Sequence, residues 1–246
     1  MRPGRAREWS PTIWHELENG AYVADLALWR ELAAAAGGPV LDLGAGAGRV
    51  ALDLAAGGHE VVALDSDPEL LAVIEQRERA VTTVCADARD FTLRRRFALV
   101  LAPMQLVQIL DGGTAARAAM LRCVRDHLSP GARFAAALAD AHSAIPAPEE
   151  PQPPLPDVLE REGWVFSSRP LAVREERGGR VVIERLREAV APSGEIREDT
   201  VRIALESVSP AALETEALAA GLAPDGRRTI PETTDHIGSQ VVLCRR

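Results

Sequence analysis

Lysine is missing from the chain: all 28 basic residues are arginine. A Schiff base needs a lysine amine and the phosphate-cradling P-loop needs a lysine after its glycines, so both enzyme classes are excluded. Cysteine is scarce as well. Cys85, Cys123 and Cys244 are far apart, odd in number and without CxxC spacing, which fits neither a disulfide framework nor a zinc cluster. No metal site is expected, and the three cysteines are expected to be reduced core thiols. No apolar window reaches membrane-spanning length. The opening MRPGRAREWSPTIWHELENG has charges but no apolar centre, so neither a membrane partner nor an export signal is expected, and the expected compartment is the cytoplasm. A formal net charge of −8 gives phosphate backbones no overall attraction, which disfavours nucleic acid as a partner.

What is present reads as one packed domain with an elaboration, because 246 residues suffice for a full core but would make two independent domains small. Apolar residues recur at helical spacing through AYVADLALWRELAAAA (21–36), which GG closes. Then PVLDLG is a short apolar run ended by glycine, 49–58 a helix with a glycine stop, and EVVALD (60–65) a second strand. The order repeats with a helix over 67–80 opened by Asp-Pro, strands at 81–87 and 97–103, a helix over 114–132 stopped by SPG, and a strand at 133–140. Almost wholly apolar strands alternating with helices predict an α/β fold, doubly wound around a mostly parallel sheet.

Proline density jumps over 141–157, as in a loop or semi-rigid linker. Beyond it, partial alternation over 164–176, 180–191 and 195–209, broken by RGG and PSG, predicts an inserted antiparallel β meander. A Ser-capped helix follows over 209–222, and QVVLCRR is a terminal strand paired near GRRTI (226–230). The expected division is an N-terminal helical lid segment (1–39), an α/β core (40–140), a Pro-rich loop with the β insertion (141–208), and a final helix and strands that complete the core (209–246).

Glycines 44, 46 and 48 fall between a strand and a helix, where open α/β sheets bind ligands. The dinucleotide fingerprint G-x-G-x-x-G would need its third glycine where this chain has Arg49. With Asp42 ahead of it, D-L-G-A-G-A-G instead resembles the first motif of class I S-adenosylmethionine (SAM) dependent methyltransferases, and the likeness extends over residues 21–140. The meander is similar to that of sugar N-methyltransferases and related small-molecule enzymes. The resemblance implies a Rossmann-like methyltransferase fold and SAM as cofactor. It implies cofactor contacts from Asp42, Gly44, Ala45, Gly46 and Gly48; from Asp65 and Ser66 at the ribose; from Asp87 and the Ala88 amide at the adenine; and from the Ala102 carbonyl.

The reaction this implies is methyl transfer to an N, O or C atom of a small-molecule acceptor, mainly by proximity and orientation. A neutral amine needs no base, whereas an oxygen or carbon acceptor favours one. His142, just past the fifth strand, is the first candidate, ahead of His15, Glu16 and His236. Trp14, Tyr22, Gln105 and Gln108 are candidate pocket residues, and the β insertion is a candidate homodimer contact. Two other readings share the same strand, loop and helix. One is an NAD(P)-dependent oxidoreductase, against which Arg49 argues; the other is a non-catalytic nucleoside-binding protein.

Overall fold

The structure is a computed structural model that describes residues 11–139, 155–176, 178–233 and 236–246. Two compact units result: one takes the described residues of Met1–Tyr22 and Ala141–Ser207, the other those of Val23–Asp140 and Val208–Arg246. The boundary at Tyr22 falls inside the segment 1–39 that the sequence suggests is a single lid.

In the larger unit, α2 (Leu26–Ala36) leads into β1 (Val40–Leu43), α3 (Arg49–Ala56), β2 (Val61–Asp65), α4 (Pro68–Arg77), β3 (Thr82–Cys85) and β4 (Phe97–Ala102). The α1 helix (Pro11–Asn19) belongs to the smaller unit. Then come α5 (Leu106–Ile109), α6 (Gly113–His127) and β5 (Leu128–Ala139), and, after the insertion, α7 (Pro210–Ala219), β10 (Ala223–Ile230) and β11 (Ser239–Arg245). The seven strands run in the order β10-β11-β5-β4-β1-β2-β3. The pairs among β1 to β5 are parallel, and β11 lies antiparallel to β5 and to β10. All four residues of β1 are buried, because a central parallel strand is covered on both faces. Helix starts follow their caps: Asp67 accepts from the Glu69 and Leu70 amides ahead of Pro68, and Ser209 from the Ala212 amide ahead of Pro210.

The expected helix end at 132 is corrected. The helix stops at His127, and β5 already begins at Leu128. The cause is Pro130: a residue before proline is pushed out of the helical region, and Gly131 at φ +75° then absorbs the register break in the β4–β5 pairing. The expectation for the cysteines is also corrected, since Cys244 is buried but Cys85, on edge strand β3, is exposed.

The smaller unit has α1 and a four-stranded antiparallel sheet, β6 (Asp157–Arg161), β7 (Trp164–Glu176), β8 (Arg180–Val190) and β9 (Ile196–Glu206), in the order β6-β7-β8-β9. Ile13 and Trp14 of α1 pack with Phe166 and Ala189. Glu18 is clasped by Arg187, with Nε–Oε1 2.8 Å and Nη2–Oε2 2.7 Å, and accepts the Ser168 hydroxyl at 2.7 Å. Among the described residues no helix is long and apolar enough to cross a membrane.

Candidate functional site

In an open α/β sheet the crevice for ligands opens where the strand order reverses, here between β1 and β4, because the chain leaves these two strands toward opposite faces. The glycine loop follows β1. Gly44, Gly46 and Gly48 all have positive φ, at +65°, +55° and +86°. At two of them space is restricted too: a Cβ on Gly44 would stand 2.8 Å from Leu106 Cδ1, and one on Gly48 2.6 Å from Ile74 Cγ1. The Ala45 amide donates to the Leu64 carbonyl at 3.0 Å and the Gly48 amide to the Ala45 carbonyl at 2.9 Å.

Asp65, the last residue of β2, anchors this loop. Its Oδ2 accepts the Gly46 amide at 2.8 Å and its Oδ1 the Asp67 amide at 2.9 Å. A carboxylate has about four acceptor positions, so each oxygen keeps capacity for a further donor. Ser66, next in the chain, is exposed.

Asp42 occupies the third position of β1 and is 1% exposed, and neither carboxylate oxygen has a hydrogen-bond partner among the described residues. Burial pushes its carboxyl up to about 7, and the nearby Arg49 charge and the Ala51 backbone amide only partly oppose this. A buried polar group without a partner calls for one, and Asp42 lies two residues ahead of the first loop glycine.

Arg49 opens α3 and pairs with Asp25 at 2.5 Å (Nη1–Oδ1) and 2.7 Å (Nη2–Oδ2), with 11% and 1% of the two side chains exposed. The Trp29 indole N–H donates to the same carboxylate at 2.7 Å. Asp25 and Trp29 have no motif around them. Their signal was a carboxylate just ahead of a helix, which reads as a cap, yet Asp25 makes no side-chain cap bond.

The third acid departs from the strand-end register. Asp87 lies two residues beyond the end of β3, in a turn closed by the Asp90 amide on the Asp87 carbonyl at 3.0 Å. Its carboxylate is held by Arg89, which keeps it below the usual carboxylate range. Ala88 is buried beside it, and Ala102 is the buried last residue of β4.

The other candidates are dispersed. Gln108 is 1% exposed, with Nε2 donating to the Ala139 carbonyl at 3.0 Å and Oε1 accepting the Ala139 amide at 2.8 Å, so its amide extends β5's bonding past the end of β4. Gln105 stands at the start of the short α5, its carbonyl accepting the Gln108 amide at 2.8 Å. Trp14 and Tyr22 are buried in the smaller unit, where Phe166 meets the Trp14 ring edge-on at 5.6 Å and Arg187 lies 5.3 Å from its centre. Glu16 pairs with Arg161 at 2.9 Å, and His15 is half-buried on the same helix. His236 shares a turn with Thr233, whose hydroxyl accepts its amide at 3.0 Å. His142 lies outside the described residues.

The crevice residues therefore present acceptors: an orphaned carboxylate, a second with spare capacity and a third at the rim. The cations beside these acids are engaged, Arg49 with Asp25 and Arg89 with Asp87. An anionic pyrophosphate fits this set poorly, whereas SAM, with an ammonium, a ribose diol and a ring amine, is rich in donors and fits it.

Comparison with known proteins agrees. Residues 40–131 match the family model of a methyltransferase domain. A sugar N-methyltransferase of Streptoalloteichus is 20% identical with a TM-score of 0.73, over 100% of this chain and 97% of that one. A SAM-bound amino pentose methyltransferase of Micromonospora echinaspora is 20% identical with a TM-score of 0.70, over 99% and 100%. A SAM-dependent methyltransferase of Clostridium acetobutylicum is 12% identical with a TM-score of 0.69, over 95% and 96%. No curated protein matches the chain in sequence. At such identities the likeness to solved structures establishes the fold. Residues 40–131 thus match a methyltransferase domain, and the fold is the one these SAM-dependent methyltransferases share. A methyltransferase domain is an enzyme domain, and the acceptor set described above fits S-adenosylmethionine.

Proposed function

We propose that the chain transfers a methyl group from SAM to the amine of a small molecule of the amino-sugar class. The observation that carries this reading is full-length likeness, meander included, to a sugar N-methyltransferase and an amino pentose methyltransferase. SAM supplies an already activated methyl group, so the chain's work is to orient the acceptor and exclude water. A neutral amine is its own nucleophile. This suits a crevice whose three candidate acids, Asp42, Asp65 and Asp87, all serve the cofactor in this reading.

In this reading Asp42, Gly44, Ala45, Gly46 and Gly48 hold the methionine end, Asp65 and Ser66 the ribose, Asp87 and Ala88 the adenine, and Ala102 offers its carbonyl to the amino group. For an oxygen or carbon acceptor, His142 is the base to test first. The four-stranded sheet is proposed as a homodimer contact, with Val158 and Ile196 exposed on its two edge strands, and sedimentation of the full chain tests it.

The activity experiment incubates the full chain with SAM and a panel of amino sugars, hydroxylated sugars and catechols, with mass spectrometry of the products. Methylation confined to amines supports the reading. Transfer to hydroxyl acceptors alone, or SAM-independent chemistry, overturns it.

A further inference from the structure

The acid assigned to the adenine is gripped by a residue of its own turn. Oδ1 of Asp87 accepts the Arg89 amide at 2.8 Å and its Nε–H at 2.9 Å, while Oδ2 accepts Nη2–H at 2.5 Å and shares Nε–H at 3.1 Å. Oδ1 takes two short bonds, whereas Oδ2 takes one and only the longer share of the Nε–H, so Oδ2 is the oxygen better placed to accept a further donor. The same guanidinium reaches further: Nη1 donates to the Asp111 carbonyl at 2.8 Å, in the connection between α5 and α6. The Arg89 carbonyl in turn accepts the Cys123 thiol of α6 at 3.4 Å. One side chain thus orients the carboxylate and ties the turn after β3 to a neighbouring connection. A lysine could supply the charge but not the fork that fixes two directions at once.

Resting on the cofactor reading above, we propose that Arg89 is a positioning residue that aims Asp87 at the exocyclic amine of the purine, and that through it the chain selects a 6-amino over a 6-oxo purine cofactor. A carboxylate held ionised only accepts. The amine of a 6-aminopurine donates to it, whereas a 6-oxopurine brings a second acceptor to the same place and leaves both without a proton between them. A half-exposed carboxylate is already ionised at neutral pH and the bonded guanidinium lowers its pKa further, so what Arg89 adds is the direction in which Asp87 points.

Calorimetry of the full chain with S-adenosylhomocysteine and its 6-oxo counterpart, S-inosylhomocysteine, tests this without turnover. The wild type binds the 6-amino compound more tightly by at least about tenfold. Arg89→Ala loses most of that preference, and Arg89→Lys falls between. Asp87→Ala together with Arg89→Ala matches Asp87→Ala alone, as it must if Arg89 acts through Asp87. A preference unchanged in Arg89→Ala, or a double variant weaker than Asp87→Ala, overturns the proposal while leaving the cofactor reading intact. If Arg89→Ala fails to fold, the ratio in Arg89→Lys decides in the same way. A wild type that binds neither compound overturns the cofactor reading, and this inference falls with it.

Discussion

Arg49 grips the buried carboxylate of Asp25 through both guanidinium branches, at 2.5 and 2.7 Å, and so ties the residue that opens α3 behind the glycine loop to the residue ahead of α2. Ion pairs this buried are valued less for their net energy than for what breaking them exposes. Arg49→Met leaves Asp25 with the Trp29 indole as its remaining described donor, and the expected destabilisation is about 3–5 kcal/mol in urea unfolding. Asp25→Leu combined with Arg49→Met recovers most of it, less about 1 kcal/mol for the indole N–H left without an acceptor. A loss below about 1 kcal/mol in the single variant would mean that the pair is not holding the loop.

Asp42 makes stability depend on pH in an unusual direction. Its carboxyl keeps its proton to about 7 in the folded chain, against an ordinary value of 3.8. Between these limits the folded chain binds the proton and the unfolded chain does not, so stability falls as pH rises through this window and levels off above it. Asp42→Asn carries no such charge. Its stability advantage over wild type should widen by about 2 kcal/mol or more between pH 5 and pH 8, while its affinity for S-adenosylhomocysteine drops. Parallel unfolding curves across that range would show that Asp42 ionises freely in the folded state.

Asp65 combines two duties: it accepts the Gly46 amide, and in the cofactor reading it also accepts the ribose hydroxyls. Asp65→Ala should weaken SAM binding by about 1–3 kcal/mol through lost hydrogen bonds. Calorimetry on a variant with unchanged unfolding temperature checks this. Equal affinity would place the ribose elsewhere.

The larger unit was legible where local pattern and long-range packing agree. Strands β1, β2 and β4 are apolar runs bounded by Gly, Asp or Pro, and the glycine stops of α2 and α3 lie where the helices end. The three long strands of the meander were visible in their alternation. Strand β6 was not, because DVLER is an exposed edge strand whose place is set by β7 rather than by its own apolar residues. In the site, the loop and Asp65 could be read from spacing. The Asp25–Arg49 pair joins the residue ahead of α2 to the first residue of α3, and the isolation of Asp42 is a property of its surroundings, so no local pattern carries either. Trp14 looked like a pocket aromatic because a lone tryptophan has the same sequence appearance whether it meets a ligand or Phe166.

Gln108 separates the two ways of reading a polar residue in an apolar run. As a pocket residue it would contact the acceptor, and Gln108→Leu would raise KM with the fold intact. As placed, its amide meets both the N–H and the C=O of Ala139, where β4 has ended and no longer flanks β5. Leucine is close in size but can pair with neither group, and each buried group left alone costs about 1–3 kcal/mol. Gln108→Leu should therefore lower stability by about 2–4 kcal/mol in urea unfolding, with amide exchange at Ala139 accelerated beyond that of Ala135 or Ala136. Gln108→Glu, which keeps the acceptor but loses the donor, should fall between at neutral pH and recover toward wild type where the glutamate is protonated. Unchanged stability with a raised KM would restore Gln108 to the acceptor pocket.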